Sequence, residues 1–124
     1  MNRRMLLLPS IATIFALFLF TSCKHDPLTP LSDAPVISFQ NEVQPIIISN
    51  CTQSDCHDGG RNITLITYND ILNEVSPSDP HGSKLYDAIT SNSIGTMPKP
   101  PNPRLSNTDI KKIYLWILQG AQNN

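Results

Sequence analysis

Cys51-Thr-Gln-Ser-Asp-Cys56-His57 packs two thiols and an imidazole into one short segment. No other segment limits the fold as strongly. Outside an apolar leader, this chain of 124 residues has room for one small domain. A domain of that size buries a modest core, and it gains from a covalent staple or a large apolar cofactor. The two thiols can be tied to each other, to a metal, or to a group that spans them. Which of these holds decides what the remaining apolar residues pack against.

The leader comes first in the chain and removes one cysteine from the count. Arg3 and Arg4 precede an almost unbroken apolar run from Met5 to Phe20, and small residues then lead to Cys23. As a helix that run rises about 24 Å, short of the roughly 30 Å of bilayer hydrocarbon. A cleaved signal peptide over residues 1–22 is therefore expected. Phe20-Thr-Ser-Cys23 resembles a bacterial lipobox, which implies lipidation of Cys23 and a membrane anchor. Lys24 follows where aspartate would imply inner-membrane retention, so the resemblance implies the outer membrane of the bacterial cell envelope, facing the periplasm or the exterior. The chain holds three cysteines; with Cys23 lipidated, Cys51 and Cys56 remain as a pair. The whole chain carries a net charge of −1, and loss of Arg3 and Arg4 makes the rest more acidic still. That balance argues against a nucleic-acid partner.

Residues 23–35 read as a tether, because KHDPLTPLSDAP is rich in proline and polar residues. Residues 36–124 read as one mainly α domain of about four helices with long loops. In the first helix, capped by Ser38, Phe39, Val43, Ile46 and Ile47 form one apolar stripe. Pro45 should kink it or end its regular part. A second helix, Tyr68 to Val75, starts at a capping-box pattern of Thr67 and Asp70. Ser83 should cap the third, with Leu85, Ala88 and Ile89 on one face. The fourth starts at Ser106 and buries Ile110, Ile113, Tyr114, Ile117 and Leu118, and Gly120 should stop it. Lys111 and Lys112 read as its solvated face. Strand signals are nearly absent. Asn62 to Thr67 is β-branched but has no evident partner, and the Asn62-Ile-Thr64 sequon is a chance match.

Three chemistries compete for the cysteine pair. Cys-x-x-Cys-His is the pattern of covalent haem attachment, in which both thiols add to porphyrin vinyl groups and the histidine binds iron. Here the spacer is four residues, and the longer loop can still span two vinyls. On this reading Cys51 and Cys56 hold one haem c, and His57 is the fifth iron ligand. Asp58-Gly59-Gly60 supplies a turn that lets backbone pass close to a flat macrocycle. For the sixth ligand the strongest candidate is Met97, the only methionine beyond the leader, in the proline-rich Gly95-Thr-Met-Pro-Lys-Pro-Pro-Asn-Pro103. That loop lacks the periodicity expected of core filler. His81 reads as a solvated turn residue, and His25 falls in the tether. The second chemistry is a Cys51–Cys56 disulfide, natural in an oxidising compartment but of short span. The third is zinc, for which a fourth ligand is missing.

The chain also resembles the class I cytochrome c fold of small bacterial cytochromes. The resemblance rests on Val43-Gln-Pro-Ile-Ile-Ile48, then Cys51, Cys56 and His57, then Ser83-Lys-Leu-Tyr86, Met97-Pro98, Leu105-Ser106 and Trp116-Ile-Leu-Gln-Gly-Ala121. These pieces occur in the family's order over most of the mature chain. The departures are the four-residue spacer and Asp58, where glycine often follows the histidine. The resemblance implies that the first and last helices cross near the haem edge, with Phe39 and Val43 meeting Ile113, Tyr114 or Ile117 and Trp116 flanking the contact.

The expected function is electron transfer by a monomeric, lipid-anchored monohaem cytochrome that exchanges electrons with redox partner proteins. With His57 and Met97 both on iron no position is open for substrate, so no enzyme activity is expected. Two alternatives stand beside it: a haem-free surface or structural lipoprotein with a Cys51–Cys56 disulfide, and a five-coordinate haem sensor or enzyme in which Met97 is not bound.

Overall fold

A computed structural model describes residues 30–60, 62–93 and 95–124. The leader, Cys23 and His25 lie outside the described residues. The chain divides at Ala34/Pro35. On the N-terminal side, Leu31–Asp33 make a short, exposed 3₁₀ turn. From Pro35 onward the fold is mainly α, and no strand occurs among the described residues. A π-helical turn, Phe39–Val43, runs into α1 (Gln44–Cys51), followed by α2 (Tyr68–Leu72), α3 (Lys84–Thr90) and α4 (Asn107–Leu118).

Pro45 acts otherwise than the stripe suggests. It does not kink a continuous helix; it lies in the first turn of α1, where its missing N–H has no bond to lose. The turn before it is widened, with the N–H groups of Val43 and Gln44 reaching Ser38 and Phe39, five residues back. Ser38 caps that turn through Oγ, which accepts from the Asn41 N–H. The Glu42 carboxylate returns to accept from the Ser38 N–H at 3.1 Å. This is a capping box stretched by one residue, as a wider turn requires.

The same carboxylate meets Lys112 of α4 at 3.2 Å. Lys112 is therefore a cross-link, whereas Lys111 is exposed. The backbone N–H of Ser38, and then the Lys112 ammonium, hold Glu42 below its ordinary value of 4.5. Bonds from Thr67 likewise lower Asp70. A carboxylate depressed by folding stabilises above its unfolded pKa, and that gain is lost as pH falls through the folded value. The denaturation midpoint should therefore fall with acid below about pH 4.5, and Glu42→Gln should flatten that limb while leaving the neutral-pH slope unchanged. An acid limb identical in both proteins would remove Glu42 from the account.

The capping box of α2 forms as the sequence requires: Thr67 Oγ1 accepts from the Asp70 N–H, and the Asp70 carboxylate accepts from the Thr67 N–H. The helix ends at Leu72, short of the expected Val75, and a turn through Asn73 and Glu74 follows. Ser83 precedes α3, but its side chain does not cap it. Its buried hydroxyl instead donates to the Asp79 carbonyl at 2.8 Å and accepts from the Ser76 N–H at 2.9 Å, fastening the preceding loop.

The core collects along α4. Its most buried side chains are Ile113, Trp116 and Ile117, while Ile110, Tyr114 and Leu118 are half-buried. Trp116 thus sits in the core and does not merely flank it. Its ring lies 5.4 Å from Phe39, and Phe39 meets Tyr68 edge-on at 5.1 Å. Both the π-helical turn and α3 pack on α4. Gly120 ends α4 with φ +95°. The Gly120 N–H bonds the Ile117 carbonyl and the Ala121 N–H bonds the Trp116 carbonyl, both at 2.9 Å, which is a Schellman stop. Gly120→Ala should cost about 1–2 kcal/mol in denaturant unfolding, because left-handed backbone disfavours a Cβ.

Candidate functional site

Cys51, the last residue of α1, is buried, with 8% of its surface exposed; Cys56 is half-buried, and neither thiol is paired among the described residues. Burial, and then the neighbouring Cys56 thiolate, push the Cys51 thiol up to about 11. The spacer between them folds back on the helix end. Thr52 Oγ1 and Gln53 Nε2 bond the carbonyls of Ile48 and Ser49, and Asp55 turns with φ +65°. The His57 N–H then returns to the Cys51 carbonyl at 3.0 Å. The two additional residues are absorbed in this loop, and the ends of the motif remain tied together. Asn62 holds the loop from outside, its amide donating to the carbonyls of Asp55 and Cys56.

The orientation of His57 comes from the β-branched segment that had no partner in sequence. His57 Nδ1 lies 2.9 Å from the Ile63 carbonyl, and the Leu65 N–H bonds the His57 carbonyl at 3.0 Å. A carbonyl can only accept, so Nδ1 carries the proton and the Nε2 lone pair is left for a Lewis acid. This is the hydrogen bond by which a metal-binding imidazole is usually steered and made more basic.

Met97 reaches the same place from the other half of the chain. Its N–H bonds the Ala88 carbonyl at 2.8 Å, which ties the loop to α3. Arg104 adds a second tie, donating to the carbonyls of Ile89 and Ser91 at 3.0 Å each. A cation there also suits the negative end of α3.

Cys51, Cys56, His57 and Met97 all line one cavity of about 330 Å³. Leu65, Leu85, Ala88, Ile89 and Pro98 supply apolar walls, and Ile63 stands half exposed beside them. The face of α3 that the sequence assigns to the core is in part this wall. Asn50, Asn102, Glu74, Lys84 and Lys99 also line the cavity, and none of them was read as a site residue from sequence. A lysine on a short helix and another beside a proline carry no periodic signal.

Asp58, Gly59 and Gly60 form the expected turn, with Gly59 at φ +96°, but it is exposed and does not line the cavity. His81 is an exposed turn residue, as expected; its ring sits edge-on to Tyr86 at 5.5 Å and to Tyr114 at 6.0 Å, and it is not among the lining residues.

The donor set suits a porphyrin-bound iron better than a bare ion. A bare zinc ion asks for four protein donors, and among the described residues no three His, Cys, Asp or Glu side chains converge. A porphyrin brings four nitrogens of its own and asks the protein for axial ligands and an apolar enclosure. One oriented imidazole, one thioether and two free thiols in an apolar-walled cavity fit that requirement. No protein-family model, curated protein or solved structure matches the chain.

Proposed function

We propose that the chain is a monohaem c-type cytochrome, an electron carrier lipid-anchored through Cys23 in the bacterial cell envelope. The observation that carries this reading is that Met97 lines the same cavity as Cys51, Cys56 and His57, although forty residues separate it from His57. A small helical domain with long loops around that cavity also supports a class I cytochrome c-like fold.

Cys51 and Cys56 would hold the haem as thioethers, and His57 Nε2 and the Met97 thioether would hold its iron. Bound there, haem c supplies one-electron Fe(II)/Fe(III) chemistry. The rest falls to the chain. The Ile63 carbonyl keeps the imidazole in one tautomer and one orientation. The Ala88 carbonyl and Arg104 hold the Met97 loop, so that the thioether is presented at little further entropic cost. Leu65, Leu85 and Ile89 are almost fully buried and would give the macrocycle an apolar wall. Ligands held in place beside an apolar wall would lower the reorganisation that accompanies gain or loss of an electron. With His57 and Met97 both holding the iron, no site would be left there for substrate.

Coexpression with a cytochrome c maturation system should yield a red protein whose intact mass exceeds the chain by one haem, retained through denaturing electrophoresis. The same spectrum should show diacylglyceryl on an N-terminal Cys23. A colourless product with a mass two hydrogens light would instead mean a Cys51–Cys56 disulfide and a haem-free lipoprotein.

A further inference from the structure

The charged residues of the cavity wall fall on different segments. The thiol-bearing stretch contributes Asp55 and no lysine, the turn after α2 contributes Glu74, α3 contributes Lys84 and the Met97 loop contributes Lys99. Both lysines are exposed, so each borders an apolar-walled site while staying open to solvent. Neither is firmly engaged. Lys84 meets Glu74 at 3.8 Å, with 80% of its own side chain exposed, a contact of little worth in water. Lys99 has no ion-pair partner among the described residues.

From this arrangement, which rests on the haem reading above, we propose that Lys84 and Lys99 form a seat for the two propionate carboxylates of the porphyrin. Protoporphyrin carries its vinyl groups on one edge and its propionates on the opposite one. Thiols that engage the vinyls therefore leave the carboxylates to other segments, and those are the segments that hold the lysines. A carboxylate at the edge of an apolar pocket loses hydration and needs a charged donor in exchange. Lys84 can leave Glu74 for a propionate at small loss. Lys99, two residues beyond Met97, joins the thioether and the anion seat in one loop.

The test is a fluorescence titration of the full-length chain carrying Cys51→Ala and Cys56→Ala, so that binding is non-covalent. The probes are zinc protoporphyrin IX and its dimethyl ester, which lacks the two charges. The diacid should bind about tenfold more tightly than the diester. Lys84→Gln and Lys99→Gln should each reduce that preference and together abolish it, leaving diester affinity and the circular dichroism spectrum unchanged. Lys111→Gln, on the exposed face of α4, should leave the preference intact. Equal affinities for the two porphyrins would overturn the seat while sparing the haem reading. So would a preference that survives the double lysine substitution, or one that Lys111→Gln reduces as much. If neither porphyrin binds, the seat fails, while the haem reading stands or falls separately on the intact mass of the coexpressed protein.

Discussion

Truncating Trp116 to alanine should lower the free energy of unfolding by about 3–5 kcal/mol, measured by urea denaturation followed by far-ultraviolet circular dichroism. Trp116 is 1% exposed and its ring lies against Phe39, itself 1% exposed. Phe39 in turn meets Tyr68, whose hydroxyl donates to the Ala121 carbonyl at 2.8 Å. One ring therefore joins the π-helical turn, the start of α2 and the end of α4. The indole N–H also donates to the Gln122 carbonyl at 2.9 Å, holding the tail beyond the Schellman stop. Small domains have only about 5–10 kcal/mol of stability to lose, so the variant should be partly unfolded at ambient temperature. Trp116→Phe keeps the packing and forfeits the hydrogen bond, so it should cost under about 2 kcal/mol. Equal losses in the two variants would show that the indole N–H, and not ring burial, dominates.

Met97→Ala should barely move stability and should instead change the redox chemistry of the haem-loaded protein. Met97 is half-buried in a loop anchored through its backbone N–H, which the substitution keeps. Removing the thioether should lower the reduction potential, because a soft ligand favours ferrous iron. Axial ligands tune haem potentials over roughly 0.8 V, so a fall of more than about 0.1 V is expected. The ferrous variant should also bind carbon monoxide, which the parent should resist. Met97→His should keep the sixth position filled yet still lower the potential. A parent that binds carbon monoxide as readily as Met97→Ala would leave Met97 outside the iron's coordination and favour a five-coordinate sensor or enzyme.

Much of the local structure was written into short stretches of chain. The Thr67/Asp70 box, the Ser106 cap and the Gly120 stop depend on side chains reaching backbone groups a few residues away. Such contacts are set before any tertiary packing exists. The apolar spacing of α4 likewise marks a buried face. What it does not show is which residue on that face lies deepest. Trp116 has that place because Phe39 arrives opposite it, and Phe39 belongs to a turn seventy-seven positions earlier in the chain. Ser83 looks like a cap in sequence, yet its hydroxyl is used by Ser76 and Asp79, since the folded loop brings them nearer than the helix's own amides.

The candidate site divides in the same way. Cys51, Cys56 and His57 fall within one short segment, so sequence alone groups them as candidates. Met97 stands out by being the sole methionine past the leader and by sitting in a proline-rich loop. Sequence by itself determined this cast of residues and the mainly α character of the domain. Only the tertiary structure decided that Met97 opens onto the cavity of the two thiols, because that depends on α3 carrying its loop back. It also decided which nitrogen of His57 is free, through a carbonyl from a segment that had no legible partner. The assignments of Lys84, Lys99 and Leu65 to that cavity are of the same kind. Each is a contact between segments distant in the chain, and such contacts leave no periodic trace in either segment.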